Sequence, residues 1–156
     1  MAQPDFFNVN PDVPKEETLE EKFSRERLEW SQKIQEMSSE MKKVFNIPEL
    51  MTNIYTERQR ATEYYHYLIS VMIKLNREYK KQYSERYDYW TFKAQIRYSN
   101  QGVLNNKIIT ELGDLVEKRE AIENHSKFIQ STVSSIDNII YGISKRVEIE
   151  QISRGK

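Results

Sequence analysis

From residue 108 onward an apolar side chain returns every seven residues, at Ile108, Leu115, Ile122, Ile129, Ile136 and Ile143. A second row, Leu112, Val133, Ile140 and Val147, fills the complementary positions, with Arg119 and Ser126 as its two polar exceptions. A seven-residue apolar period sustained over this length belongs to a helix pressed against another helix along a seam. Closure of that seam is possible within the chain, by an antiparallel hairpin, or by another copy. Ile139 and Phe128 lie outside both rows, so a second apolar contact is expected, and with it self-association. The residues expected to carry assembly are Ile122, Ile129, Val133, Ile136, Ile140 and Ile143. Arg119 and Ser126 suit a structural role in fixing register or copy number. Gly142 costs about 1 kcal/mol relative to Ala inside a helix, and marks either a close helix approach or a kink.

Composition agrees with long helices. Of 156 residues, 31% are charged and 38% hydrophobic, with only four Gly and four Pro, which suits extended helices and not a sandwich or an α/β fold. In Lys15 to Met41 the apolar residues Leu19, Phe23, Trp30, Ile34, Met37 and Met41 recur mostly at three or four residues, a thinly apolar helix. Asn46, Ile47 and Pro48, followed by Glu49, interrupt it and start the next. That second helix is expected to run from Pro48 to about Asn100, approaching ~80 Å at ~1.5 Å per residue, too long to stand without a partner helix. Ser99 to Asn106, with Asn100, Gly102, Asn105 and Asn106, reads as the turn. The expected fold is therefore all-α. A flexible tail (1–14) and an acidic helical arm (15–45) precede a long antiparallel helical hairpin or coiled coil (46–152, helices 48–100 and 106–152) that assembles into a homo-oligomer.

With no cysteine, the chain has no disulfide or thiolate metal site and fits a reducing cytoplasm. No apolar run approaches the ~18 residues that span a membrane, and no membrane contact is expected. Met1 to Pro14 lacks the basic start of a signal peptide. His66 and His125 have no partner at metal-ligand spacing, no glycine-rich phosphate loop is present, and the carboxylates are scattered along amphipathic stretches. These features point to neither an enzyme nor a cofactor.

Net charge is zero, but unevenly spread. Residues 1–48 carry net −3 and residues 49–101 net +3, so an acidic arm precedes a basic helix. The 25 residues from Lys74 to Tyr98 hold seven bases, seven aromatics and three acids. Cations for phosphates and rings for bases are what a groove for a single nucleic-acid strand requires. The cations are Lys74, Arg77, Lys80, Lys81, Arg86, Lys93 and Arg97, and the rings are Tyr79, Tyr83, Tyr87, Tyr89, Trp90, Phe92 and Tyr98. As one helix, Arg86, Trp90, Lys93 and Arg97 share a face that continues the apolar stripe of Leu68, Met72, Leu75 and Tyr79. Burying three cations there is costly, so this end is expected to leave the core and present an indole among cations. The competing reading packs Tyr and Trp on a neighbouring helix while Lys and Arg reach for water.

The run Glu85-Arg86-Tyr87-Asp88-Tyr89-Trp90-Thr91 resembles the signature of the UvsY-like recombination mediators of T-even-type phages, with an Ile47-Pro48 helix start upstream. Asn138-Ile139-Ile140 and Ile143-Ser144-Lys145-Arg146 resemble that family's C-terminal helix. The resemblance covers roughly Ile47 to Gln151. It implies a non-enzymatic, homo-oligomeric ring that binds single-stranded DNA. Such a protein helps a RecA-like, UvsX-type recombinase displace the phage single-strand DNA-binding protein, in the host cytoplasm. It assigns phosphate contact to Arg86, with Lys93 as a matching cation, and assembly to the C-terminal helix. Ser84 stands where some members carry a DNA-binding lysine, which shifts that role to Lys80 or Lys81. Phe92 stands where members carry glycine, implying a helix that runs on unbroken. Glu150 departs from a basic preference, arguing against DNA contact at the extreme C-terminus.

Two functions follow. The first is a single-stranded-DNA-binding recombination mediator with Lys80, Lys81, Tyr83, Arg86, Tyr89, Trp90, Lys93 and Arg97 at the strand. The second is a coiled-coil scaffold or adaptor without nucleic-acid binding, in which the aromatic helix only packs against its neighbours.

Overall fold

A computed structural model describes residues 16–43 and 46–155; the tail expected over 1–14 lies outside the described residues. Every regular element among them is helical: α1 (Leu19–Glu40), α2 (Ile47–Asp88), a π turn (Tyr89–Lys93), α3 (Gln101–Glu111) and α4 (Gly113–Arg154). None of these helices is long and apolar enough to cross a membrane.

Local chemistry places most of the ends. Thr18 and Glu21 form a reciprocal capping box on α1, the Thr18 hydroxyl accepting from the Glu21 amide while the Glu21 carboxylate accepts from the Thr18 amide. Asn46, at φ 61°, precedes α2, and Pro48 sits in its first turn. Leu112 is the sole break between α3 and α4, and the hydrogen bonds Leu112 N–H to Ile108 O and Val116 N–H to Leu112 O bridge it. The seven-residue row therefore passes from Ile108 into α4 without losing phase.

Helices α2 and α4 pack antiparallel. Ile54 meets Ile136, Ile139 and Ile143 at one level, Leu68 meets Ile122 and Ile129 at the next, and Arg58 pairs with Asp137 at 2.5 Å. Helix α1 lies against both: Phe23 joins the Leu68 level, Met37 the Ile54 level, and Trp30 touches both clusters. The acidic segment is thus a structural member of a three-helix core. Ile122, Ile129, Ile136 and Ile143 are buried inside the chain, with Val133 and Ile140 packed at its edge. Within the chain these residues, expected to carry assembly, form the packing seam. Ile139 and Phe128 do meet a second apolar surface, but that surface is α1 and the α2 aromatics, so it requires no second copy. Gly142 marks a close approach: a Cβ there would stand 3.1 Å from Met41 Sδ at the end of α1.

One polar contact ties the three helices. His125 on α4 is fully buried, its ring stacked on Phe23 with centroids 4.0 Å apart, and its Nε2 lies 2.8 Å from Glu26 Oε2 on α1. The Tyr64 hydroxyl on α2 donates a short hydrogen bond to the same oxygen. Burial lowers the histidine pKa, opposed by Glu26 and assisted by Lys22 and Arg27. The ring is therefore neutral, with Nε2–H donating to the carboxylate and Nδ1 left without a partner. Burial, then Glu26, raises the Tyr64 phenol pKa, so it remains a donor.

Two expectations are corrected at the far end. Regular α geometry stops at Asp88 and the π turn carries helical backbone through Phe92 only to Lys93 instead of continuing to Asn100; the Ala94 N–H closes on Tyr89 O at 2.9 Å, and Ala94 is extended. The reversal is required because Leu104, Ile108 and Leu112 bury themselves on Tyr79, Tyr83, Tyr87, Trp90 and Tyr98, which a straight helix to Asn100 would leave uncovered. Thr91 and Phe92 are also poor helix formers. The Asn/Gly-rich segment is the start of α3 and not the turn: Asn100 Oδ1 accepts from Gly102 N–H at 2.8 Å as an N-cap.

Two predictions follow from this packing. The unfolded chain protonates His125 where the folded chain keeps it neutral, so stability is full above about pH 6.5 and falls as pH drops below it. Denaturant midpoints from pH 5 to 8 should show that slope, and His125→Gln, which still donates to Glu26 but does not titrate, should flatten it. Gly113 has open space where a Cβ would stand. Gly113→Ala should therefore stabilise by up to about 1 kcal/mol, whereas Gly142→Ala should gain less because Met41 must shift; thermal unfolding compares the two.

Candidate nucleic-acid interface

The aromatic and basic residues of 74–98 divide into a set packed on α3 and an exposed set. On the inner side, Tyr79, Tyr83, Tyr87 and Trp90 form a row at roughly helical spacing that covers α3, and Tyr98 returns from the connecting segment to meet the Trp90 ring edge-on at 5.5 Å. The Tyr83 hydroxyl donates to Asn105 Oδ1 at 2.5 Å. The Arg119 guanidinium lies 4.6 Å from the Tyr79 ring centre, a structural role for a polar seam residue.

Glu111, near the end of α3, organises the rest of this side. Its carboxylate accepts a 3.2 Å hydrogen bond from Trp90 Nε1, and Arg86 Nε lies 3.7 Å and Lys107 Nζ 3.8 Å from it. Lys107 also stands 5.6 Å from the Trp90 ring centre. Trp90, Tyr83 and Arg86 are therefore engaged with α3, the first two by packing and the third by an ion pair. Of the expected face of Arg86, Trp90, Lys93 and Arg97, Arg86 and Trp90 engage Glu111, Arg86 and Lys93 line one hollow with Tyr89, and Arg97 lies beyond the π turn, off the helix. Nothing in the spacing pointed to Glu111, which meets Trp90 across 21 residues of chain.

The outer side is different. Lys74, Arg77, Lys80, Lys81, Lys93 and Arg97 are all exposed, and among the described residues none of them has a carboxylate within 4.0 Å. Tyr89 and Phe92 are exposed on the π turn, as is Ile96 beyond it. Glu78 and Glu85, four residues after Lys74 and Lys81 and in one hollow with Lys93, moderate this cationic field without pairing to it. A shallow hollow of about 490 Å³ between Glu78, Gln82, Glu85, Arg86, Tyr89 and Lys93 carries two carboxylates, which disfavour a phosphate there. Lys93 lines that hollow, and Lys80 and Lys81 lie on α2 between its lining residues Glu78 and Gln82 in sequence.

Elsewhere the chemistry is dilute. His66 is exposed, His125 belongs to the core contact, and no group of three His, Asp or Glu among the described residues is placed to hold a metal ion. A hollow of about 840 Å³ lies between the starts of α1 and α4 and mixes Glu17, Lys22, Arg27, Asp114, Glu117 and Lys118.

Trp90→Ala should loosen α3 and cost roughly 2 kcal/mol, less than a fully buried indole because the ring is only partly buried. Arg86→Ala should cost under about 1 kcal/mol, as its ion pair with Glu111 is solvent-screened; urea denaturation of both variants measures the difference. Against known proteins, no family model, no curated protein and no solved structure matches this chain.

Proposed function

We propose that this protein binds single-stranded DNA along α2 and the π turn and segment that follow it, and acts as a recombination mediator, helping a RecA-like recombinase onto strands covered by single-strand DNA-binding protein. The observation that carries the reading is the set of six exposed cations, Lys74, Arg77, Lys80, Lys81, Lys93 and Arg97, that lack carboxylate partners among the described residues. Neutralising several phosphates releases their counterions, so such a track gains affinity without base recognition. The likeness of Glu85 to Thr91 to the UvsY-like signature supplies the mediator role, a recombinase partner and a host-cytoplasm setting. No bond is made or broken in that role, and the protein works as a binding module.

In this reading the pairing of α2 with α4 is a coiled-coil hairpin, and copies assemble into a ring whose repeated tracks turn weak contacts into avidity. Because the seam isoleucines are occupied within each chain, assembly uses outward residues of α4 such as Tyr141, Ile149 and Ile152, all more than 60% exposed. The acidic segments are then left to repel strands from the rest of the surface.

The test is fluorescence anisotropy of a labelled single-stranded oligonucleotide across a salt series, beside a duplex control. The native protein should bind the single strand more tightly, with log affinity falling by roughly 0.7 per neutralised phosphate. Lys80→Ala/Lys81→Ala should weaken binding about tenfold and reduce that slope by about 1.4, with helicity unchanged by circular dichroism. Absence of binding at low salt by the folded protein would overturn the reading and favour a helical scaffold.

A further inference from the structure

Phe92 is the most exposed large apolar side chain among the described residues, at 73%, and Ile96 follows at 69%, with Tyr89 at 44%. They occur within eight residues of Trp90 and Tyr98, which do find partners, so the segment sorts its rings into an inner and an outer set. The outer set is held on a rigid base. Tyr89 meets the Trp90 ring edge-on with centroids 5.2 Å apart, and Trp90 is itself fixed by the α3 cluster and by Glu111. The π turn, closed by Ala94 N–H to Tyr89 O, sets the directions in which these rings project. Lys93, next to Phe92, and Arg97, next to Ile96, are exposed and without carboxylates within 4.0 Å among the described residues.

We infer that Phe92, assisted by Tyr89, is a stacking platform for unpaired bases and sets the preference for single strands over duplex; this rests on the strand-binding reading above. Bases in a duplex are already stacked on their neighbours and offer no free faces, whereas an unpaired base has one to give. An exposed ring flanked by cations takes the base while Lys93 and Arg97 hold the adjoining phosphates. The two contributions differ in their response to salt. Phosphate contacts release counterions and steepen the salt dependence, while stacking displaces no counterion and shifts affinity equally at every salt concentration.

Phe92→Ala should therefore lower single-strand affinity five- to hundredfold, in parallel across the salt series, with duplex affinity unchanged and the salt slope preserved. Phe92→Trp should retain or improve binding, and Tyr89→Ala should show a smaller loss of the same kind. Since Phe92 is exposed, the variants keep the native fold, which unfolding midpoints verify. If the native protein binds single strands but Phe92→Ala binds them equally well, or loses duplex affinity in the same proportion, the inference is overturned while the strand-binding reading stands. If the native protein binds neither nucleic acid, both fall. Binding to phosphatidylserine vesicles that is lost in Phe92→Ala, with single-strand affinity unaltered, would overturn it in favour of a lipid surface.

Discussion

A helix of 42 residues is kept straight in water by the surface it hides, and α2 and α4, each of that length, hide theirs against one another. Every other feature is arranged around this antiparallel contact. Over its proximal half α1 adds a third layer: Ile54, Ile129 and Ile136 lose all solvent contact, and Ala61, also fully buried, leaves room for the neighbouring helices. Over the distal half α1 is absent, and α2 pairs only with α3 and the start of α4. There the tyrosines and Trp90 do with ring area what a third helix does elsewhere, and that substitution is why the aromatic residues concentrate in the last turns of α2.

Apolar seams alone tolerate sliding by one turn, so the polar contacts across them matter more for register than for net stability. Glu26 receives hydrogen bonds from both Tyr64 and His125, and a shift of any helix by a turn would leave a partly buried carboxylate and a buried imidazole without partners. Arg58 with Asp137 acts at a second level, and Arg146, donating to the Met41 carbonyl at 2.8 Å, caps the end of α1 from α4. At the distal end Arg119 over Tyr79 and Glu111 with Trp90 continue the same series. The molecule is thus indexed along its length by a few polar contacts set in a continuous apolar seam.

The two-layer distal half leaves one face of α2 uncovered. With no third helix over it, the outer face of α2 remains open to solvent, and it is there that cations accumulate without partners. The aromatic residues of the same stretch serve two purposes decided by direction: Tyr79, Tyr83, Tyr87 and Trp90 hold α3, while Tyr89 and Phe92 of the π turn are exposed. A single helical projection of 74–98 cannot separate these sets, because it assumes a constant angle per residue through a region where the helix widens and then ends.

Helical content, the seven-residue seam of 108–147, the start of the second helix at Ile47-Pro48 and the apolar stripe of α1 were all legible in the residues themselves. Periodicity and end signals are local, and each depends on side chains within a few positions of one another. The cationic character of 74–97 was equally legible, being a matter of composition. The tertiary structure alone decided which partner fills each seam, since the pattern of α4 fits a second copy as well as it fits α1 and α2. It also decided that Trp90, Tyr83 and Arg86 serve α3, and that Lys80, Lys81, Lys93 and Arg97 do not. The physical reason is that Glu26 and His125 are 99 residues apart and Trp90 and Glu111 are 21 apart. Whether a side chain is buried, paired or free depends on what the fold brings opposite it.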